Sequence, residues 1–211
     1  MNCVIVDFGL GNLRSVQHKL RAIEIEAVAS ADPKVIAAAD RLILPGVGHF
    51  AKGMENLKRS GLIPLLTEKV MGQKTPVLGV CLGMQLLTRW SEEGEVEGLG
   101  WIDAVTKRFQ FNGDQAALRI PHIGWNTLQP RRSSPLLDGI APAQRFYFVH
   151  SYHVCCDQPA DVLTTTRYGY EFVSVVHHAN ILGAQFHPEK SHRCGMTIVK
   201  NFFSALPSAS N

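Results

Sequence analysis

Pro76-Val77-Leu78-Gly79-Val80-Cys81-Leu82-Gly83-Met84-Gln85 is an apolar run that breaks at Gly-x-Cys-x-Gly and resumes with helix-forming residues. A short apolar segment bounded in this way reads as a buried strand, here 76–80, that delivers its last residue into a helix. Gly79 and Gly83 leave room for the sharp, strained strand-to-helix turn of a nucleophile elbow, and the side chain it presents is that of Cys81. The helix beyond points its N-terminus at the sulfur, where partial positive charge favours the thiolate. The Leu82 backbone N–H would face an oxyanion formed on attack. The plainer reading of the same residues is a buried cysteine at a strand end.

Working outward, the same strand-then-helix rhythm recurs. Cys3–Val6 is a continuous apolar run closed by Asp7, Gly9 and Gly11, and Leu13, Val16, Leu20 and Ile23 follow at helical spacing. Residues 26–29 read as a second strand, 33–39 as a short helix and 42–44 as a third strand stopped by Pro45-Gly46-Val47-Gly48. Helices are expected around 51–59 and 62–71. Buried strands interleaved with helices predict an α/β fold: an open, mostly parallel sheet with helices on both faces. Function in such sheets gathers at the carboxyl ends of the strands, where Asp7-Phe8-Gly9, the 45–48 loop and Cys81 all stand. The second half is richer in strands. Residues 102–108, 146–149, 151–155, 162–165, 172–176 and 181–186 are expected to extend the sheet with antiparallel hairpins. A last helix begins near Ser191 as N-cap, with Ile198–Phe202 and Val199–Phe203 as core-facing pairs.

A nucleophilic cysteine needs a base, and among nine histidines His187 is the best placed. It follows an apolar strand in Gln185-Phe186-His187-Pro188-Glu189. Pro188 holds the chain extended at His187, so His187 and Glu189, two apart, can face one site with the carboxylate orienting the ring. The glycines of Pro45-Gly46-Val47-Gly48 let backbone approach a ligand closely and could supply a second oxyanion N–H. Taken singly, each of these reads as readily as a turn or a surface pair.

Together the three elements resemble the signature of the class I, or triad, glutamine amidotransferases. Within that class the chain looks like the glutaminase subunits of imidazole glycerol phosphate synthase, of histidine biosynthesis. The likeness runs from Asp7-Phe8-Gly9-Leu10-Gly11-Asn12 to Asn201-Phe202-Phe203. The 45–48, 79–85 and 186–189 segments resemble motifs of the whole class. Pro121-His122-Ile123-Gly124-Trp125-Asn126, Tyr147-Phe148-Val149-His150-Ser151-Tyr152 and His187-Pro188-Glu189-Lys190-Ser191 point to the branch.

By that resemblance Cys81 is the nucleophile, His187 the general base and acid, and Glu189 the third triad member. Backbone N–H groups of Val47, Gly48 and Leu82 would form the oxyanion site. Gly46, Gln85, His150, Ser151 and Tyr152 would hold glutamine. Asn12, Trp125, Tyr147 and Lys190 would face a cyclase subunit that receives the ammonia in a heterodimer and forms imidazole glycerol phosphate and AICAR. The resemblance further implies a flavodoxin-like domain over residues 1–206 and neither metal nor organic cofactor; the end of the chain, 207–211, reads as a frayed tail, and the cysteine usage fits a cytoplasm.

Composition agrees with that class and narrows the rest. The chain has 211 residues, 45% hydrophobic and 18% charged, enough for one sizeable domain of a globular protein. A net charge of +3 with scattered lysines and arginines gives no footprint for nucleic acid. Five cysteines at irregular spacing predict reduced thiols rather than a disulfide framework. The N-terminus enters a strand without a basic leader, and no apolar run reaches the roughly 18 residues of a membrane span.

Four other readings compete. His192 after Lys190-Ser191, and Tyr152-His153-Val154-Cys155, depart from the branch pattern and leave open a paralogue feeding ammonia to a sugar amidotransferase of surface-polysaccharide synthesis. A docking subunit that keeps the fold without activity is argued against by the intact Cys81, His187 and Glu189. His150, His153, Cys155 and Cys156, with His177 and His178, have zinc-type chemistry, but if His150 and His153 share one strand they point to opposite faces. Gly9-Leu10-Gly11-Asn12 could open a nucleotide loop, except that Arg14 stands where a third glycine is needed.

Overall fold

The computed structural model describes residues 2–206, so the expected tail at 207–211 lies outside the described residues. The first half runs β1 (Cys3–Val6), α1 (Leu13–Arg21), β2 (Ala27–Ser30), α2 (Pro33–Ala37), β3 (Arg41–Gly46), α3 (Phe50–Ser60), α4 (Ile63–Thr67), β4 (Val77–Cys81) and α5 (Leu82–Leu86). β2, β1, β3 and β4 are parallel neighbours in that order. Strand alternation splits their side chains between two cores. Cys3, Ile5, Ile43, Leu78 and Val80 face one; Val4, Val6, Leu42, Leu44 and Val77 face the other. α1 covers the first core with Val16 and Leu20, and α2 to α4 cover the second with Ile36, Phe50, Met54, Leu57 and Leu66.

Local chemistry sets the helix ends. Asn12 Oδ1 accepts from Ser15 N at 3.1 Å and caps α1, so the Gly9–Gly11 turn feeds a helix. Asp32 caps α2 ahead of Pro33, and Gly61 ends α3 at φ 69°. The expected 62–71 helix is interrupted: α4 ends at Thr67 and continues as a π-helical turn, Glu68–Gly72. The third strand is not stopped by Pro45. β3 continues through Gly46, with Pro45 opposite Val80 and Gly46 opposite Cys81. Pairing with β1 has ended at Ile43, so on that side Pro45 has no ladder partner to lose.

The second half runs β5 (Trp90–Ser91), β6 (Val96–Glu97), β7 (Ala104–Arg108), β8 (His122–Thr127), β9 (Gln129–Pro130), β10 (Arg145–His150), β11 (Tyr152–Cys156), β12 (Val162–Tyr168), β13 (Tyr170–His178), β14 (Ile181–Ala184) and α6 (His192–Ala205). The main sheet has the order β2-β1-β3-β4-β14-β13-β11-β7-β5-β6, parallel from β2 to β14 and chiefly antiparallel beyond. α6 packs Ile198, Val199 and Phe202 on the same face as α1.

One expected strand is elsewhere. Residues 146–149 do not extend the main sheet; β10 pairs antiparallel with β8 in a separate two-stranded ribbon. β8 gave no strand signal because its pattern is inverted. His122 is buried while Ile123 and Trp125 are exposed, so the polar residue points in and the apolar ones out. Ser151 alone separates β10 from β11 and carries the chain from ribbon to sheet.

Candidate active site

Cys81 ends β4 at φ 54° and ψ −109°, the strained turn expected of an elbow. The two glycines are there for close packing. A Cβ on Gly79 would stand 2.8 Å from Gly83 O, and one on Gly83 would stand 1.7 Å from Leu44 O. Gly46 serves the same turn, since a Cβ there would meet Leu82 Cβ at 2.9 Å. α5 is only five residues long, so its contribution at Cys81 comes from its first amides rather than from a long dipole.

β14, hydrogen-bonded beside β4, carries the chain on to Gln185 and His187. Gln185 N donates to Ser174 O at 2.9 Å, and His187 N donates to Tyr147 O at 2.9 Å. His187 is extended at φ −96° and ψ 100°, whereas Glu189 lies in a 3₁₀ turn, Pro188–Lys190. The two therefore meet through a turn and not through strand alternation, and Glu189 sits behind the ring. His187 Nδ1 donates to Glu189 Oε1 at 2.9 Å, and both side chains are almost fully buried. Nε2 is buried with no hydrogen-bond partner among the described residues. Burial opposes a charge on this ring, but neighbouring Cys81 and Glu189 outweigh it and raise the His187 pKa to about 9.

Cys81 and His187 share a cleft of about 260 Å³. Val47, Gly48, Leu82 and Gln85 line one part of it and His150, Ser151 and Tyr152 another. Gly46 does not reach the wall; it packs under Leu82. The Asp7-Phe8-Gly9 strand end does not line the cleft either. Pro121 and Val149, quoted above only as parts of longer motifs, also line it, and so does Glu93, which no motif marked. Cys81 Sγ lies 3.9 Å from Val149 O, and Gln185 Nε2 lies 3.9 Å from Cys81 Sγ. Gln185 could have been found from its place two residues before His187, which puts both on one face of an extended segment.

The cleft wall is backed by neutral histidines. Burial pushes His150 well below the ordinary histidine value, with His122, His153 and His187 adding to the effect against a backbone bond to Tyr152. His150 Nδ1 donates to Tyr152 O at 2.8 Å, which leaves its Nε2 to accept from His122 Nδ1 at 3.1 Å. Burial lowers His122 and His153 to about 4 each. His150 and His153 do not share a strand, being in β10 and β11. His153 turns to Tyr170 Oη, 3.0 Å from its Nε2, and to Cys155 Sγ, 3.6 Å from its Nδ1. His178 pairs with Asp161 at 2.8 Å. Among the described residues no group of three or more His, Cys, Asp or Glu is arranged to hold a metal ion.

Around the cleft the outer face of the ribbon is apolar and open. Trp125 is 42% and Ile123 60% exposed. Trp125 stacks on His192 at 5.0 Å and meets Tyr147 edge-on at 5.7 Å, and Lys190 Nζ lies 5.8 Å from the Tyr147 ring centroid. Asn12 is exposed at the start of α1 with its side chain engaged in capping. Ser191 is the N-cap of α6 by position, but its hydroxyl does not cap. It donates to His187 O at 2.6 Å and accepts from Tyr147 N at 2.9 Å, tying β10 to the His187 segment.

The family model for class-I glutamine amidotransferases matches residues 4–206. The chain belongs to that family. Its relatives include imidazole glycerol phosphate synthase subunit HisH 2 of Methanococcus maripaludis, 48% identical over 198 residues that make up 94% of this chain and 96% of the relative. The subunit of the same name from Pseudomonas aeruginosa is 47% identical over 199 residues, 94% of this chain and 97% of that one. A crystal structure of a glutamine amidotransferase, 19% identical, superimposes with a TM-score of 0.71 over 96% of this chain and 98% of its own, a likeness of fold. In this class-I amidotransferase the elbow of Cys81 and the His187–Glu189 segment stand side by side at the carboxyl ends of β4 and β14. No helix among its described residues is long and apolar enough to cross a membrane.

Proposed function

We propose that this class-I amidotransferase is the glutaminase subunit of an imidazole glycerol phosphate synthase, and that Cys81, His187 and Glu189 are its catalytic triad. One observation carries the reading. A cysteine on a strained elbow and an imidazole with a free Nε2 open into one cleft, and a buried carboxylate takes the other ring nitrogen. Cys81 Sγ, its proton already passed to His187 Nε2, attacks the carboxamide carbon of glutamine and forms a C–S bond. His187 returns that proton to the leaving nitrogen, the C–N bond breaks and ammonia departs. Water, deprotonated by His187, then attacks the thioester; the C–S bond breaks, the thiolate beside protonated His187 is restored and glutamate leaves. Backbone N–H groups of Leu82 and of Val47 or Gly48 hold each tetrahedral oxyanion, one such donor being worth about 3 kcal/mol. Gly46, through the loop it starts, with Gln85, His150, Ser151 and Tyr152, shapes the glutamine site. Residues 1–206 form this one domain, working in the cytoplasm without a cofactor.

The partner is a cyclase subunit docked over Asn12, Trp125, Tyr147 and Lys190, to which the ammonia passes. The exposed apolar ribbon supports this, because monomer surfaces seldom leave Ile, Trp and Tyr contiguous without use. The test is ammonia release from glutamine by wild type and Cys81→Ala, with and without the cyclase subunit. Activity raised by the cyclase and absent in Cys81→Ala is expected; equal release from both proteins would end the assignment.

A further inference from the structure

Gln185 has no part in the chemistry above, yet it is fully buried and commits both ends of its amide to the site. Its Oε1 lies 3.1 Å from Gln85 Nε2, and its Nε2 lies 3.9 Å from Cys81 Sγ. A primary amide is nearly symmetric in shape, so the direction of this chain must come from its neighbours. The Tyr152 carbonyl oxygen can only accept, and it stands 2.9 Å from the terminal nitrogen of Gln85. Gln85 therefore turns its NH₂ to that side, and the second N–H of the same group meets Gln185 Oε1. The Gln185 NH₂ is then left facing the sulfur. The Tyr152 carbonyl is itself held by His150 Nδ1 at 2.8 Å, so the anchor of the chain is rigid.

The other polar neighbours of the sulfur do different work. The Val149 carbonyl, 3.9 Å away, can only accept a hydrogen bond from the proton of a neutral thiol. His187 takes that proton. Of these groups, Gln185 is the one that can donate a hydrogen bond to the sulfur both before and after the proton leaves. We propose that Gln185 is a positioning residue for the nucleophile, its N–H holding the Cys81 sulfur and stabilising the thiolate, with Gln85 fixing the amide in that orientation. The inference rests on the reading of Cys81 as nucleophile. It also explains the spacing in Gln185-Phe186-His187: one extended segment brings a base and an N–H donor to the same atom, while Phe186 between them is buried in the core.

The test uses full-length wild type, Gln185→Met and Gln185→Glu. Met removes both ends of the amide at similar volume. Glu is nearly isosteric and still accepts from Gln85; as a carboxylate it offers no N–H to the sulfur, and alkylation followed from about pH 7 to 9 separates that carboxylate from a buried acid whose O–H could still donate. Alkylation of Cys81 by iodoacetamide is followed by peptide mass, with Cys155, half-exposed, as reference in the same sample. Glutamine turnover is measured with the cyclase subunit present. Both variants are expected to lose about tenfold or more in Cys81 alkylation and in kcat, as for one lost hydrogen bond to a charged group, with KM within about threefold and Cys155 unchanged. Should Gln185→Met fail to fold, Gln185→Glu decides alone. Wild-type alkylation and kcat in a folded variant would overturn the proposal, as would equal changes at Cys81 and Cys155, which mark general loosening. Glutamine hydrolysis by Cys81→Ala would instead overturn the nucleophile reading on which it rests.

Discussion

At the scale of single residues, the site is held by atoms that are absent as much as by those present. Cys81 sits at φ 54°, a conformation that costs a non-glycine residue about 1–3 kcal/mol and persists only where the surroundings enforce it. The enforcement is the close approach of α5 to β3 and β4 that Gly79 and Gly83 permit. Gly83→Ala would drive a Cβ to 1.7 Å from Leu44 O, onto backbone that cannot step aside. A loss of at least about 3 kcal/mol in urea unfolding is expected, together with loss of selective Cys81 alkylation. His187 makes a prediction about pH. Its folded-state pKa lies near 9, above the 6.5 of a free histidine. The stability this contributes is therefore complete below about pH 6.5 and lost as pH rises through about 9. Glu189→Gln removes one of the groups that raises the pKa. It should cost about 1.5–3 kcal/mol at pH 6 and distinctly less at pH 10, measured by denaturant titration at both. A cost independent of pH would mean that the buried pair is not charged.

At the scale of elements, β10 joins the outer surface to the chemistry. Phe146, Phe148 and His150 point inward, Tyr147 and Val149 outward. The Tyr147 carbonyl takes the His187 N–H, and the Val149 carbonyl faces Cys81. A partner resting on the proposed Trp125 and Tyr147 face would press on the strand whose backbone touches both Cys81 and His187. Trp125→Ala should weaken cyclase binding by about 2 kcal/mol or more in calorimetry, as a central aromatic of an interface does. It should alter the stability of the free chain by less than about 1 kcal/mol, because the ring is half-exposed. Ser191→Ala should act the other way. It leaves the Tyr147 N–H without its partner and should cost about 1–3 kcal/mol of stability in denaturant titration of the free chain.

At the scale of the whole molecule, the sheet separates two cores that share strands but not side chains. Phe202 lies in the core under α1 and α6, and Leu57 in the core under α2 to α4. Phe202→Ala should cost about 3–5 kcal/mol and Leu57→Ala about 2–5 kcal/mol. The double variant should equal their sum within about 0.5 kcal/mol, since the two side chains lie in different cores; a larger departure in urea titration would show the cores to be coupled. The sequence by itself determined the parallel half of the sheet, the elbow at Cys81, the His187–Glu189 pair and the family. Each of those is written in neighbouring residues: apolar runs of strand length, a glycine two residues to either side of one cysteine, a proline after a histidine. Only the tertiary structure decided the rest. It placed β10 and β8 in their own ribbon, because a strand with buried His122 and exposed Ile123 and Trp125 carries an inverted pattern. It moved Gly46 from the cleft wall to the packing beneath, set Glu189 behind its histidine, and brought Gln185 to the sulfur. Those outcomes depend on what lies across the sheet from each residue, and a contact between side chains 104 positions apart leaves no trace in the local order of the chain.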